Sequence, residues 1–182
     1  AFTVLSAAAS SVPAAEFTLT VERTPGGPME GVRCYVFSES GSYLGLNAAT
    51  DGNGQVGFEL SDGAYKIRAD YLGSRFWSDV FTIPDTPSAT LAIAHQDVSV
   101  DVNKTYGAES CPGEGVRVYL FSESGAYMGR NQTTGANGQV TFNLPEQSYK
   151  ARADFQGQRY PSDPFTWQEG SVSIPMADAR VT

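Results

Sequence analysis

Apolar and polar residues alternate along most of this chain. Val140, Phe142 and Leu144 alternate with Thr141 and Asn143, and similar runs recur in both halves of the sequence. A period of two places successive side chains on opposite faces of a strand, so one face packs on a core while the other meets water. No stretch shows the i, i+3, i+4, i+7 spacing of an amphipathic helix. The pattern predicts an all-β chain.

Regular turns separate the predicted strands. Asn53-Gly54 and Asn137-Gly138 lie between two strands in each half of the chain, and Asn-Gly is the strongest short signal for a β-hairpin. About seven short strands with such turns are typical of an immunoglobulin-like antiparallel sandwich. In the first half we predict strands at residues 17–23, 32–38, 43–49, 55–60, 64–71, 79–83 and 89–94.

The sequence contains one long internal repeat. The run GVRCYVFSESGSYLG begins at Gly31 and GVRVYLFSESGAYMG begins at Gly115, and the two copies align without a gap, more than half of their positions being identical. The offset of 84 residues, the difference between 115 and 31, is the size of a small domain. The repeat therefore predicts two tandem sandwiches, residues 17–95 and 96–182.

The predicted junction between these domains is short. His95-Gln96-Asp97 contains no Gly/Ser linker, which predicts domains stacked end to end with limited freedom. Residues 1–16 lie outside the repeat and form a separate N-terminal segment.

Composition and charge narrow the class of protein. The 182 residues are 41% hydrophobic and 18% charged, which is typical of a globular chain, and the formal net charge is −8. That charge argues against nucleic acid and anionic lipid as partners. No apolar run approaches the ~20 residues of a membrane helix, and no charged and apolar leader is visible, so we expect any signal peptide to have been removed. Few lysines and abundant Ser, Thr, Gly and Tyr favour an extracellular location.

Catalytic and metal chemistry find little support in the sequence. The single histidine, His95, does not belong to any recognisable Ser-His-Asp motif. A zinc site would need several closely spaced His or Cys, which the sequence does not have. Asp51, Asn53 and Gln55 have a faint likeness to a calcium loop, but the second copy begins with Gly135 and lacks the acid. We predict no enzyme activity, no cofactor and no metal site.

The motifs of both copies resemble a known group. G-V-R-V-Y-L-F, then T-D-x-N-G-Q-V-x-F-x-L, then G-x-Y-x-x-R-A-D is similar to the prealbumin-like repeats of prokaryotic surface proteins, including carboxypeptidase-regulatory-like and Cna B-type domains. The resemblance spans residues 17–174 and implies a stalk, spacer, adhesive or pilus module. It also implies a candidate isopeptide lysine, Lys104. Its equivalent in the first copy is Arg23, and residues 171–175 contain no Asn, so an ordinary charge at a strand end is the favoured interpretation.

Charged and aromatic residues recur at matched positions of neighbouring predicted strands. They predict an outward ladder of ion pairs and cation–π contacts, which stabilises a solvated sheet face. The alternative is an aromatic platform that binds carbohydrate, for which the candidates are Tyr43, Phe76, Trp77 and Tyr127. The ladder consists of Arg33, Tyr35, Lys66, Arg68 and Asp70 in the first copy and of Arg117, Tyr119, Lys150, Arg152 and Asp154 in the second.

Two cysteines and two glycosylation sequons are not repeated. Cys34 replaces a core valine, which favours a buried thiol, whereas Cys111 lies in an insertion of the second copy. If they form a disulfide, it links the two domains or two subunits. Asn103 and Asn131 each begin an Asn-x-Thr sequon and are candidate glycan acceptors in a secreted chain.

The N-terminal segment suggests a mode of assembly. Phe2, Val4 and Leu5 belong to a short apolar strand candidate, followed by a tether of small residues. It is interpreted either as the last strand of a preceding domain or leader, or as a donor strand that completes a sheet edge in the next molecule. We therefore predict an extracellular filament or surface-fibre subunit whose partners are copies of itself. The alternative is an accessory adhesive module that binds surface glycans; neither nucleic acid nor membrane insertion is expected.

Overall fold

The computed structural model describes residues 14–106 and 108–177, and they are almost entirely β-structure. Sixteen strands are joined by turns and by one short 3-10 turn at Trp167–Glu169, with no α-helix among the described residues. The predicted all-β class is confirmed. The described residues divide into two compact units. Unit 1 comprises residues 14–22, 28–71 and 75–92, and unit 2 comprises residues 23–27, 72–74, 93–106 and 108–177.

Unit 1 contains two sheets. In the first sheet β1 lies between β4 and β8, and in the second the order is β3-β2-β5-β6, with β7 also paired to β5. The strands are β1 Ala15–Thr24, β2 Arg33–Ser38, β3 Tyr43–Ala49, β4 Gln55–Leu60, β5 Gly63–Tyr71, β6 Ser74–Trp77, β7 Phe81–Ile83 and β8 Ser88–Tyr106.

Unit 2 repeats this arrangement. The C-terminal part of β8 pairs with β12 and β9 antiparallel and with β16 parallel, and the second sheet has the order β11-β10-β13-β14, with β15 also paired to β13. The strands are β9 Glu109–Pro112, β10 Arg117–Ser122, β11 Tyr127–Thr133, β12 Gln139–Pro145, β13 Ser148–Phe155, β14 Gln158–Pro161, β15 Phe165–Thr166 and β16 Ser171–Ala177.

Each core is formed by the inward rows of the strands. In unit 1 Phe17, Leu19 and Val21 of β1 are fully buried, and the ring of Phe17 stacks on Phe81 with centroids 4.0 Å apart. At about 25 cal/mol per Å², burial of such side chains is the main favourable term in folding. The buried core of unit 2 is formed by Val98, Val100, Val102, Val116, Val118, Leu120, Val140, Phe142, Leu144, Tyr149, Ala151, Ala153, Phe165, Ile174 and Met176.

The Asn-Gly turns do not form hairpins, so that prediction was wrong. Asn53-Gly54 joins β3 to β4, and these strands belong to different sheets. Asn137-Gly138 joins β11 to β12 in the same way. The turn closes by a hydrogen bond from the amide of Gly54 to the carbonyl oxygen of Asp51, at 2.9 Å. The chain therefore crosses from one layer of the sandwich to the other at these turns.

Gly54 is required by this crossing. Its φ of +73° lies in the left-handed region, and a Cβ there would lie 2.5 Å from the carbonyl oxygen of Val21. The same close approach lets the amide of Val21 donate to the carbonyl oxygen of Gly54, at 2.8 Å. Gly31 has a similar φ of +75°, but its Cβ would meet nothing within 4 Å.

These two glycines give a matched test of the crossing. We expect Gly31→Ala to reduce the free energy of unfolding of unit 1 by about 1 kcal/mol, the cost of a left-handed alanine. Gly54→Ala should cost about 3 kcal/mol, because the clash with Val21 adds to that cost. Urea unfolding monitored by tryptophan fluorescence measures both values. Equal losses for the two variants would contradict the close approach.

Candidate functional site

The outward face of the second sheet in unit 1 carries a connected polar and aromatic cluster. The Arg68 guanidinium makes a bidentate ion pair with the Asp70 carboxylate, from Nε to Oδ1 at 2.7 Å and from Nη2 to Oδ2 at 3.0 Å. It also lies over the rings of Tyr35 and Phe37, 4.6 and 5.3 Å from their centroids. The ion pair therefore runs along β5, whereas the cation–π contacts cross to β2.

Strand β3 extends the cluster through a second chain of contacts. Arg33 Nη1 donates to Asn47 Oδ1 at 2.9 Å, and Asn47 Nδ2 donates to the Tyr43 hydroxyl at 2.8 Å. The ring of Tyr43 then packs edge-on against Tyr35, with centroids 5.9 Å apart. The face is thus held by side chains from three strands.

Unit 2 repeats the cluster contact for contact. Arg152 pairs with Asp154 at 2.7 and 3.0 Å and lies over Tyr119 at 5.1 Å. Asn131 Nδ2 donates to the Tyr127 hydroxyl at 2.7 Å and accepts from Arg117. The predicted ladder of ion pairs and cation–π contacts is therefore present in both units. Its side chains find their partners within the sheet, an arrangement that stabilises the face.

Trp77 is where the two outward faces differ. Its ring packs against Phe37 at a centroid distance of 4.9 Å, and Lys66 Nζ lies 5.2 Å above it. Under this cover Phe37 is only 9% exposed although it points outward. The second copy has Pro161 at the matching position, and the counterpart of Phe37 is half-buried there.

The four candidate ligand-binding aromatic residues do not lie on one common surface. Tyr43 and Trp77 lie on the same face of unit 1, both in contact with Phe37, and both are exposed. Tyr127 is the exposed counterpart of Tyr43 in unit 2. Phe76 precedes Trp77 on β6, points to the opposite side and is half-buried. A carbohydrate platform in unit 1 would therefore consist of Tyr43 and Trp77 alone.

The two sequon asparagines occupy strands. Asn131 uses both ends of its amide within the cluster described above, and Asn47 does the same in unit 1 without a sequon. Asn103 lies in β8 with β16 and β9 on either side, and its Nδ2 is 3.5 Å from Ser173 Oγ. Glycosylation at Asn103 or Asn131 stays a prediction.

The two cysteines have opposite surroundings. Cys34 is fully buried in unit 1, and burial, with a smaller effect of the Asp70 charge, raises the pKa of its thiol to about 12. Cys111 on β9 is exposed, and both are free thiols. A thiol reacts as its thiolate and must be accessible to its partner. A disulfide at Cys34 would therefore require unit 1 to open. A bond between subunits through Cys111 stays a prediction.

The candidate cation and isopeptide residues have structural partners. Asp51 Oδ1 accepts the amides of Asn53 and Gln55 at 2.9 and 2.8 Å, which is turn chemistry. Lys104 Nζ lies 4.4 Å over the ring of Phe155. Among residues 14–106 and 108–177 no cluster of three His, Cys, Asp or Glu is suited to a metal ion, and no helix could span a bilayer.

His95 is buried on β8, and its Nδ1 lies 2.8 Å from the carbonyl oxygen of Ile93, to which it donates. Burial lowers its pKa, the hydrogen bond to Ile93 opposes this, and the charges of Arg23 and Arg130 lower it further. The surroundings of the buried ring therefore favour its neutral form.

Sequence reasoning missed two exposed leucines. Leu44 and Leu46 lie on β3, an edge strand, and are 43% and 41% exposed. Their counterparts in the repeat are Met128 and Arg130. A comparison of the two copies position by position would have shown this difference, because the fold alone does not require it. The predicted donor residues Phe2, Val4 and Leu5 lie outside the described residues.

The described residues form all-β sandwiches, and solved structures share this fold. The minor pilin GBS52 of Streptococcus agalactiae is 14% identical with a TM-score of 0.50, the alignment covering 92% of this chain and 97% of that one. At this identity the likeness concerns the fold, and the resemblance inferred from the motifs is confirmed at that level.

Other solved structures align more loosely. The shaft pilin SpaA of Lactobacillus rhamnosus GG is 13% identical with a TM-score of 0.41 over 93% of this chain and 99% of its own. The Bacillus anthracis TIE protein is 17% identical with a TM-score of 0.44, and the alignment covers 90% of this chain. This chain spans 33% of the length of that protein. No family model and no curated protein sequence matches the chain.

The two thiols should differ in accessibility. We expect an aromatic disulfide reagent to modify one thiol per folded chain, Cys111, and a second only after denaturation, because Cys34 is buried with a raised pKa. Absorbance of the released thiolate counts the reactive groups. Cys111→Ser should leave no reactive thiol in the folded chain, and two rapidly reacting thiols in the native protein would contradict the burial of Cys34.

Protonation of His95 should weaken unit 2. Because its pKa is lower in the folded than in the unfolded chain, stability is fully present above the ordinary value of 6.5 and falls as the pH drops below it. One such group contributes a slope of at most about 1.4 kcal/mol per pH unit. Urea unfolding at pH 7 and at pH 5 should show a smaller loss for His95→Asn than for the native chain. Equal losses in both proteins would contradict this account.

Proposed function

We propose that this chain is the structural subunit of an extracellular filament or cell-surface fibre, assembled by donation of the N-terminal strand between copies. The observation that carries the proposal is the pair of free sheet edges in unit 1. Within the described residues β3 pairs only with β2, and β4 pairs only with β1. A free edge presents unpaired backbone amides and carbonyls, which can bind a further strand.

The two free edges border the same side of unit 1. Residues 50–54 are all that separates β3 from β4, although these strands belong to opposite layers. An extended segment entering this side would form main-chain hydrogen bonds with an edge and insert alternate side chains between the layers. Each fully buried large apolar side chain would contribute about 1.5–3 kcal/mol.

Residues 1–6 have the chemistry that such an edge would bind. Phe2 and Val4 alternate with small or polar residues, and residues 1–15 contain no charged side chain. Leu5, on the opposite side of the strand, would lie at the rim. The small residues that follow would serve as a tether between one copy and the next.

The fold shared with a minor pilin favours a fibre subunit. Two of the similar solved structures are described as pilins, one a minor pilin and one a shaft pilin. A chain of two sandwiches suits extension, and the side chains of the described outward clusters find their partners within their own sheets. We therefore propose a structural role at the cell surface, with copies of itself as the partner.

A second candidate function is an adhesive module that binds surface glycans. Exposed Tyr43 and Trp77 on the outward face of unit 1 favour it, since sugars stack on exposed rings. Lys66 already lies over the ring of Trp77, so one face that a flat platform would need is occupied. Retention of a monodisperse chain on a glycan array, lost with Trp77→Ala, would support this alternative.

Removal of the donor segment tests the proposed function. Deleting residues 1–6 should leave folded monomer and abolish polymer at concentrations where the full chain assembles, as measured by sedimentation and negative-stain electron microscopy. The double variant Phe2→Ser and Val4→Ser should have the same effect, whereas Thr3→Ser should assemble normally. Polymers that persist after the deletion would contradict strand donation.

A further inference from the structure

The inner row of β3 is apolar in unit 1. Ala48 pairs with Cys34, which is fully buried, so Ala48 faces inward. Leu44 and Leu46 precede it on β3, in the stretch where the pairing with β2 shifts register between Tyr35 and Phe37. In the repeat, Met128, the counterpart of Leu44, packs against the core of unit 2.

These leucines are exposed, although the counterpart of Leu44 packs on the core of unit 2. Leu44 is 43% and Leu46 is 41% exposed, whereas the inward rows of the central strands are buried. In a sandwich an inward apolar side chain is left uncovered only where the neighbouring strand is missing. The uncovered row lies beside β4, the other free edge of unit 1.

Unit 2 has the same two edge strands, β11 and β12, but a polar side chain bridges them. The matched row is Met128, Arg130 and Gln132, and Gln132 Nε2 donates to the carbonyl oxygen of Thr141 on β12, at 2.7 Å. Ala48, the counterpart of Gln132 in unit 1, has no polar side-chain atom with which to make this hydrogen bond. An inward-pointing charge and a bonded edge are devices that prevent a sheet from accepting a further strand.

We propose that the side of unit 1 between β3 and β4 is the acceptor site for residues 1–6 of a second copy. This assignment rests on the proposed function and adds its location. Phe2 and Val4 would cover Leu44 and Leu46. Six extended residues span about 20 Å and the seven residues of β3 about 23 Å, so the donor strand matches the edge in length.

The difference between the units also sets the geometry of assembly. Each chain then carries one donor segment and one acceptor, because Gln132 bridges the matched side of unit 2 and Arg130 places a charge on its edge strand. A head-to-tail contact between two different surfaces generates an open filament when the rotation does not close. Acceptors in both units would instead give branched aggregates.

Exchange of residues between the repeats tests the acceptor. Leu44→Met together with Leu46→Arg gives unit 1 the residues that unit 2 tolerates at the same positions, so the variant should fold. We expect its critical concentration for polymerisation to rise by more than about tenfold. The matched control, Met128→Leu with Arg130→Lys in unit 2, should polymerise as the native chain does.

Four outcomes of this comparison are distinguishable. A rise for the unit 1 variant alone supports the assignment. If deletion of residues 1–6 abolishes polymer but the unit 1 variant assembles normally, the acceptor is wrongly placed while strand donation stands. If the control is impaired equally, selectivity for unit 1 is refuted. If the native chain stays monomeric at every concentration, the proposed function itself fails.

Cross-linking between two differently marked chains tests the contact directly. The donor chain carries Val4→Cys, with its own acceptor blocked by Leu44→Met and Leu46→Arg. The acceptor chain lacks residues 1–6 and carries Leu46→Cys, and both chains carry Cys111→Ser. Under mild oxidation we expect a disulfide-linked dimer of one donor and one acceptor on a non-reducing gel. An acceptor chain with Arg130→Cys in place of Leu46→Cys is the control.

Closure within one chain is the competing arrangement. A chain that carries Val4→Cys, Leu46→Cys and Cys111→Ser would then cross-link internally and stay monomeric on a non-reducing gel, whereas strand exchange between copies gives linked multimers. The monomeric product, or equal dimer yields with Leu46→Cys and Arg130→Cys, would overturn the proposal.

Discussion

Inward alternation is the constraint on which this structure depends. Every central strand buries one row of side chains between two layers, and Phe17, Val36 and Ile67 in unit 1 are fully buried in this way. A strand at the edge has the same alternation but only one neighbour, so its inner row is covered incompletely. The two copies differ at such an edge, where Leu44 and Leu46 of unit 1 correspond to Met128 and Arg130 of unit 2.

The outward face obeys a different rule. Arg68 makes two hydrogen bonds to Asp70 and a cation–π contact with Tyr35. The same three contacts recur in unit 2 at closely similar distances. Because both copies keep this cluster intact, its contribution is to the stability of the sheet. Trp77 adds a cover for Phe37 that the second copy lacks, with Pro161 in its place. Function is better sought where the copies diverge than where they agree.

Much of the fold could be predicted from the sequence because period-two alternation is a local property. The predicted bounds of β3 and β4 match the structure, since both runs end at turn residues. Alternation cannot tell which sheet a strand joins, so the turn at Asn53-Gly54 was taken for a hairpin when it crosses between layers. The short strand β6 was missed because Phe76 and Trp77 interrupt the alternation.

Candidate sites were harder to predict, because exposure depends on the neighbouring strands. Tyr43 and Trp77 were recognised as surface aromatics, but their shared contact with Phe37 requires the register of β2 against β3 and β6. Leu44 and Leu46 look like ordinary core residues in a strand pattern. Only the position of β3 at the edge of its sheet shows that they are uncovered.

The central claim is that copies join through the open side of unit 1. Amide hydrogen exchange, compared between monomer and assembled material and resolved by peptide, tests it most directly. The account predicts slower exchange on assembly in residues 2–6, in β3 and in β4, with no change in β11 or β12. Protection that appears equally at β11, or that leaves β3 and β4 unchanged, would contradict it.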